Sequence, residues 1–155
     1  MPALHTPALK WALGGPGWAY FTWTSGEETL RLRTSYVGDA LKDLLTATLD
    51  LKLGSSATFT HFLDEPHGHR MFFSSVADNT MYVEIVRFDD LFTDNNRWAG
   101  GVPCWDGEVS VPHFIEAVQD MAMAVLKEHG EDGYHKSWIE APFPTRELAL
   151  LQQKP

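Results

Sequence analysis

Histidines and carboxylates lie close together between His61 and His69, where they could bind a divalent metal. The members of this cluster are His61, Asp64, Glu65, His67 and His69. Imidazole and carboxylate groups form many zinc sites, in which a bound water becomes a nucleophile at neutral pH. Pro66 and Gly68 predict a turn here, and the spacing does not match the His-Glu-x-x-His pattern. Two interpretations stay open: a polar hairpin loop, and a small metal-dependent hydrolase that uses His61, Glu65, His67 and His69.

Cys104, Asp106 and His113 have the residue types of a cysteine nucleophile with its base and an orienting carboxylate. Such groups normally come together in space from distant segments, so their closeness in sequence does not by itself indicate catalysis. Cys104 lies between Pro103 and Trp105, and free cysteines often fill small buried spaces. No catalytic residue is predicted from this group.

Asp89, Asp90 and Asp94 have the composition of the start of a calcium-binding loop. The turn glycine and the final glutamate of an EF-hand loop are not at the required positions. The chain also lacks the glycine-rich nucleotide-binding motifs and the Gly-x-Ser-x-Gly nucleophile motif. These patterns predict neither a calcium site nor a nucleotide site, and no cofactor is expected.

The segment from Phe88 to Glu108 combines carboxylates with aromatic residues and shows no regular periodicity. Tryptophan is common at binding hot spots, and carboxylates around it can steer a cationic partner into place. We predict that this segment binds a partner through Asp89, Asp90, Asp94, Trp98, Trp105, Asp106 and Glu108. The alternative is that Phe92, Trp98 and Trp105 fold back over one end of a sheet, because most tryptophans are largely buried.

The negative charge of the chain is concentrated in the same part of the sequence. Residues 78–132 hold twelve carboxylates and three cations, which accounts for the whole net charge of -9. Part of this charge lies on the polar face of a predicted helix, and residues 89–108 retain five carboxylates against Arg97. An acidic field repels nucleic acid and anionic membranes and speeds encounter with basic proteins. We therefore expect a basic protein partner and no binding to nucleic acid or membranes.

The hydrophobic pattern alternates between period two and period 3.6 and predicts an α+β domain. Strands are predicted at 18–24, 29–35, 57–63, 70–76 and 80–88, with a short strand at 108–111. Helices are predicted after Tyr36 up to Gly54, from Pro112 to Gly130, and from a capping Thr145, with Ser35 as the N-cap of the first. Because the strands come in consecutive runs, we expect one antiparallel sheet of five to six strands, with two main helices packed on one face and a short C-terminal helix.

Three segments lack a clear pattern. Gly14 to Gly17 is the clearest break, and it separates a loosely ordered lead at 1–17, with a helical turn at Leu9 to Leu13, from the body of a single globular domain over 1–155. Residues 89–107 are predicted to form a loop of about 19 residues, a length that usually carries a function. Tyr134 to Ile139 is predicted to be a strand or an ordered loop.

Composition and cysteine content favour a soluble, cytoplasmic protein. Cys104 is the only cysteine, so no intramolecular disulfide can form, and a reducing compartment is expected. Residues 1–10 do not have a signal-peptide pattern, and no apolar run reaches the ~18 residues that a membrane-spanning helix needs.

Several fragments resemble segments of small uncharacterised bacterial proteins. They are Tyr36-Val37-Gly38-Asp39-Ala40-Leu41 running into Leu44-Leu45, Asp64-Glu65-Pro66 followed by Arg70, and Phe143-Pro144. This resemblance implies no activity. In general form the chain is also similar to the immunity proteins of bacterial toxin systems, which tend to be small, acidic, cytoplasmic and poor in motifs. That likeness concerns overall character, so no site residue follows from it.

Three functional hypotheses follow. The first is a non-catalytic acidic binding protein, an immunity protein or antitoxin that occludes a basic toxin domain such as a nuclease. The second is the metal-dependent hydrolase described above. The third is a subunit of a homo- or hetero-oligomeric assembly, in which the aromatic surface is buried against another chain. The oligomeric state does not follow from the sequence.

Overall fold

The computed structural model describes residues 4–93 and 95–154, so Asp94 lies outside the described residues. Within these residues the chain forms two antiparallel sheets and three helices, which confirms the predicted α+β class. The first sheet has the strand order β1-β2-β3, and its strands are Ala8–Leu13, Trp18–Ser25 and Glu28–Ser35. The predicted hairpin is confirmed, since β2 pairs with β3 along its whole length.

The helical turn predicted at Leu9 to Leu13 is wrong, because these residues belong to β1. Strand β1 pairs with β2 in a register that places Trp11 opposite Phe21, and Trp11 is buried. Leu9, Trp11 and Leu13 are two residues apart, which is the strand period. In a run this short, periodicity alone separates strand from helix poorly.

Helix α1, Ala40–Lys52, follows the first sheet and confirms the predicted helix. Its N-cap is Asp39, not the predicted Ser35, because the Asp39 carboxylate accepts a hydrogen bond from the backbone N–H of Lys42 at 3.4 Å. The apolar side of α1 is buried through Ala40, Leu41, Leu44, Leu45, Ala47 and Leu51. The helix therefore packs into the core along one face.

The second sheet has the strand order β4-β5-β6-β7, with strands Thr58–Leu63, Gly68–Ala77, Thr80–Phe88 and Val102–Ser110. The predicted three-strand meander is confirmed. The predicted loop at 89–107 is too long, because β7 already begins at Val102. Ile85 pairs with Trp105 and Val86 with Pro103, so Cys104 is an extra residue in a bulge. That bulge interrupts the period-two pattern by which the strand would have been recognised.

Helix α2, Val111–Trp138, is longer than predicted and includes most of the segment assigned to a strand or loop. Ser110 caps its start by accepting a hydrogen bond from His113 N at 3.3 Å. Gly130 has φ 69° and ψ 170°, so the helix breaks at the predicted end but resumes beyond it. Helix α3, Thr145–Gln152, confirms the predicted C-terminal helix, although its N-cap residue is Pro144 instead of Thr145.

The two sheets and the helices share one hydrophobic core. Phe21 of the first sheet stacks on Phe62 of the second with ring centroids 5.0 Å apart, and Trp23 meets Trp105 edge-on at the same separation. The prediction of a single sheet of five to six strands is therefore wrong. Helix α1 lies between β3 and β4 in the chain, and these two strands belong to different sheets, which share the core. Among the described helices, none is long and apolar enough to cross a membrane.

Asp64, in the turn between β4 and β5, joins the two sheets. Its side chain is 4% exposed, and both of its oxygens accept hydrogen bonds from Nε of Arg33 in β3, at 3.1 and 3.2 Å. Nε2 of His67 lies 2.9 Å from Oδ2, and the backbone N–H of Glu65 donates to Oδ1 at 3.0 Å. Charge-assisted hydrogen bonds of this kind are about twice as strong as neutral ones. We call these contacts the Asp64 junction.

The turn between β4 and β5 also contacts the start of the loop that joins β6 to β7, residues 89–101. Leu91 N donates to the carbonyl oxygen of Pro66 at 3.0 Å, and the Leu91 side chain is buried. A Cβ at Gly68 would lie 2.4 Å from the Phe62 carbonyl oxygen and 2.6 Å from a Leu91 methyl group. Only glycine therefore fits where the turn, β4 and the loop meet.

Replacing the junction carboxylate should destabilise the fold. Asp64→Asn removes the charge that Arg33 and His67 approach, and we expect the free energy of unfolding to fall by about 2 kcal/mol. Urea unfolding followed by tryptophan fluorescence measures this loss. Glu65→Gln is the matched control, because it removes the same charge from an exposed neighbour. Equal stability of the two variants would contradict a structural role for Asp64.

Candidate functional site

The outer face of the four-stranded sheet carries a group of aromatic side chains. Phe59 of β4 pairs with Phe72 of β5, so both rings point to this face, with centroids 6.0 Å apart. Trp98 of the loop lies over them, 5.9 Å from Phe59 and 6.4 Å from Phe72. Phe59 is 46% exposed and Trp98 is 52% exposed. We call these three residues the aromatic patch.

Arg70 holds Trp98 in place. Its guanidinium carbon lies 3.6 Å from the centroid of the Trp98 ring and 4.7 Å from that of Phe88, and the arginine is only 5% exposed. One of its N–H groups also donates to the backbone carbonyl of Arg97. Burial lowers the pKa of Arg70, but arginine keeps its charge at physiological pH. The cation–π contact therefore positions an exposed tryptophan on a fixed support.

Carboxylates occupy the same face beside the aromatic patch. Glu84 of β6 pairs with Phe72 on one side and with Asp106 of β7 on the other. An aromatic side chain and two carboxylates therefore lie side by side across three strands. Tyr82 and Glu108 form the neighbouring pair. The Tyr82 hydroxyl donates to Asp106 at 2.7 Å, and this hydrogen bond raises the pKa of Tyr82 to about 12. We call Glu84, Asp106 and Glu108 the acidic row.

The residues predicted to bind a partner divide into four groups, of which the buried Trp105 is described in the next paragraph. Trp98, Asp106 and Glu108 are exposed on the outer face, as described. Asp89 is exposed at the start of the loop and pairs with Arg87 at 2.7 Å, and Asp90 accepts backbone hydrogen bonds from Phe92 and Thr93. Hydrogen bonds from the hydroxyl and backbone of Thr93 and from the backbone of Phe92 lower the pKa of Asp90. The predicted residue Asp94 lies outside the described residues.

Trp105 is the correction within this set. It is 6% exposed and packs edge-on against Trp23 and His5, inside the shared core. The strand period explains the difference, because Trp105 pairs with the buried Ile85 and therefore points inward. Trp105 is a core residue and is not available as an exposed anchor, in agreement with the alternative that it covers a sheet.

Sequence reasoning missed Phe59, Phe72 and Glu84 as members of this surface. The usable signal was the alternation along β4 and β5, in which Phe59 and Phe72 occupy the positions opposite to those of the buried Thr60 and Phe73. A large aromatic residue on the solvent-facing side of a predicted strand is informative, because monomeric surfaces rarely expose contiguous apolar groups.

The outer face of the three-stranded sheet carries three cations, one of which, Arg33, is paired with Asp64. Lys10, Thr22 and Arg31 form one row across its strands, and Ala12, Tyr20 and Arg33 form the next. Arg31 lies over the Tyr20 ring at 3.8 Å and Arg33 over the Trp18 ring at 4.6 Å. We call this surface the basic face.

The histidine cluster does not come together as a metal site. His61 pairs with Asp43 of α1 at 3.4 Å, and His67 pairs with Asp64 at 2.9 Å. His69 occupies the strand position next to Arg70 and faces the opposite side of the sheet from His61. In residues 4–93 and 95–154, no group of three or more His, Cys, Asp or Glu side chains is placed to hold a metal ion. The geometry gives the hydrolase hypothesis no support.

Cys104 and His113 are likewise engaged separately. The Cys104 thiol contacts the Val102 carbonyl oxygen at 3.5 Å, and Nε2 of His113 lies 2.9 Å from the Pro7 carbonyl oxygen. Asp106 bonds to Tyr82. The three groups form no shared hydrogen-bond chain, so a nucleophile–base arrangement is not present among them.

Comparison of the chain with models of protein families, with curated proteins and with solved structures found no match.

His69 should make stability depend on pH. Burial, and to a smaller extent the charge of Arg87, lowers its pKa to about 4, whereas in the unfolded chain it titrates near 6.5. Between these values the unfolded chain binds more protons, so the free energy of unfolding falls as pH drops from about 6.5 to 4. His69→Asn should lose about 2 kcal/mol less over this range, allowing for the partial exposure of the ring. Urea titrations of both chains at several pH values measure the free energy of unfolding, and an identical pH dependence of the two chains would contradict the prediction.

Proposed function

We propose that this chain is a non-catalytic binding protein that uses the aromatic patch and the acidic row to bind a basic protein partner. In its most concrete form it is an immunity protein or antitoxin that occludes a basic toxin domain, such as a nuclease, in the cytoplasm. The observation that carries the proposal is the aromatic patch itself: two rings about half exposed on an open sheet face, directly beside carboxylates.

The aromatic patch supports binding because it combines exposure with order. Trp98 is held by Arg70 and Phe88 from below, so little side-chain freedom remains to be lost when a partner covers it. A shallow groove of about 470 Å³ is lined by Phe59 and Phe72 of the aromatic patch and by Glu84 of the acidic row, among others. Tryptophan residues often dominate the binding energy of protein interfaces.

The acidic row supports the basic character of the partner. Glu84, Asp106 and Glu108 share one face, and Asp89 and Asp90 lie at the start of the loop that carries Trp98. Complementary charge raises association rates and suppresses wrong partners more than it adds affinity. On this basis the aromatic residues supply the binding energy, and the carboxylates select a cationic surface.

Removing the Trp98 ring should weaken the complex. Native mass spectrometry of the chain with the product of the adjacent gene, followed by titration calorimetry, tests both the partner and the anchor, since toxin and immunity genes are commonly neighbours. Trp98→Ala should lower affinity by about 2 kcal/mol, roughly 30-fold. The control is Trp18→Ala, which removes a tryptophan that is likewise stacked on an arginine but lies on the basic face.

Two results would count against the proposal. No complex at micromolar concentration would reject the toxin partner, and equal weakening by both tryptophan variants would reject the aromatic patch as the interface. Light scattering on the isolated chain distinguishes the remaining hypothesis: a concentration-dependent dimer that Trp98→Ala dissociates would mean that a second copy covers the aromatic patch.

Neutralising the acidic row should slow association. In the double variant Glu84→Gln/Asp106→Asn we expect the association rate to fall about tenfold at low salt, with a smaller change in dissociation. The difference should shrink in 0.5 M salt. Glu27→Gln/Glu28→Gln, in the exposed hairpin of the other sheet, removes the same charge and should change the rate less. Equal effects of the two pairs would mean that only net charge matters.

A further inference from the structure

The basic face is an open sheet surface whose own strands contribute no acidic side chain to it. By the register of β1, β2 and β3, its charged residues are Lys10, Arg31 and Arg33, and its other residues are alanine, threonine, serine, tyrosine and tryptophan. In the described part of the chain, no carboxylate pairs with Lys10 or Arg31. This surface is therefore locally cationic, although the net charge of the chain is -9.

Aromatic rings hold both guanidinium groups of this face in place. The guanidinium carbon of Arg31 lies 3.8 Å from the centroid of the Tyr20 ring, and that of Arg33 lies 4.6 Å from the centroid of the Trp18 ring. Arg33 donates to Asp64 through Nε, so that carboxylate does not use its two terminal nitrogens. Arg31 is exposed, and the side chain of Arg33 is 46% exposed. Guanidinium groups that are already ordered lose less side-chain freedom when they bind an acceptor.

The two arginines occupy alternate positions of one strand. Arg31 and Arg33 are two residues apart in β3, so they project from the same face of the sheet with a spacing of about 7 Å. An extended peptide presents every second side chain on one side with the same spacing. Carboxylates at positions i and i+2 of such a peptide therefore match the two guanidinium groups, each of which can bind both oxygens of a carboxylate. Lys10 lies in the same row as Arg31, two strands and about 10 Å away, and adds a third cation.

We propose that the basic face binds an extended acidic segment of a second protein, in which glutamate or aspartate occupies alternate positions. Charge complementarity selects the segment, and the match between its carboxylates and the pair Arg31 and Arg33 sets its register. The inference does not depend on the function proposed above, because it concerns the other sheet. The chain then has two separate faces for partners of opposite charge.

The arrangement of the rings favours an acidic peptide over single-stranded nucleic acid. Proteins that bind nucleic acid on a sheet stack the bases on free aromatic faces. Here the guanidinium groups of Arg31 and Arg33 already lie over the rings of Tyr20 and Trp18. The net charge of -9 also repels a long polyanion more strongly than a short acidic segment.

The first test compares two synthetic peptides of the same composition and charge. The acetylated and amidated peptide Thr-Glu-Thr-Glu-Thr-Glu-Thr is titrated at low salt into the ¹⁵N-labelled chain, and NMR shifts of the backbone amides of Thr22, Arg31 and Arg33 report binding. The peptide Glu-Thr-Thr-Glu-Thr-Thr-Glu has no glutamates two residues apart and should bind about fivefold more weakly. Equal affinity of the two peptides, or no shifts with about 1 mM of the alternating peptide, would overturn the inference. Tighter binding of a ten-residue oligo(dT) would also overturn it, in favour of nucleic acid.

The second test uses variants of exposed residues, which leave the core intact. Arg31→Gln should weaken binding of the alternating peptide about fivefold, the effect of losing one well-ordered ion pair. Arg31→Lys keeps the charge but loses the planar guanidinium, and should still weaken binding about threefold. The matched control is Arg146→Gln, which removes an exposed cation from α3 and should change the affinity less than about twofold. Unchanged affinity of Arg31→Gln, or equal weakening by Arg146→Gln, would overturn the inference.

Discussion

The rest of the structure depends on a buried carboxylate. Asp64 accepts hydrogen bonds from Arg33 of the first sheet and from its own turn, so the two sheets are fixed relative to each other by a polar contact at one edge and by the Phe21–Phe62 stack inside. Hydrophobic packing is non-directional, whereas a carboxylate with two engaged oxygens specifies direction. The aromatic core holds the sheets together, and the Asp64 junction sets how they lie.

The Asp64 junction also reaches the candidate site. Leu91 is bonded to Pro66 and seated on Gly68, so the long loop leaves the sheet from a defined point. From there the loop passes over the outer face, where Arg70 holds Trp98. The strands therefore fix the position of an exposed tryptophan that lies in a loop. Binding surfaces are more effective when rigid elements hold their residues in place before the partner binds.

The local features of this fold could be predicted from the sequence more fully than the way in which its elements assemble. Alternation predicted β2 and β3, and the leucine spacing predicted α1, because both signals depend only on neighbouring residues. The bulge at Cys104 and the break at Gly130 each interrupt a pattern that the chain later resumes. For this reason only the end of β7 was predicted, as the short strand at 108–111, and the end of α2 was missed. Whether β3 and β4 share a sheet is decided by contacts between distant parts of the chain. One example is the stack of Phe21 on Phe62, which joins residues 41 positions apart. The burial of Trp105 follows from the register of β7 on β6, and the position of Trp98 follows from its contact with Arg70; neither can be predicted from the spacing of residues along the chain.

The outer faces of the two sheets carry side chains of opposite charge. The basic face carries Lys10 and Arg31, together with Arg33, which is paired with Asp64, while the acidic row lies on the outer face of the other sheet. On the function proposed above, the acidic row attracts a basic partner, while the cations of the basic face repel it. The partner is then expected to approach the face that carries Trp98, so that its orientation is set before the aromatic patch is touched.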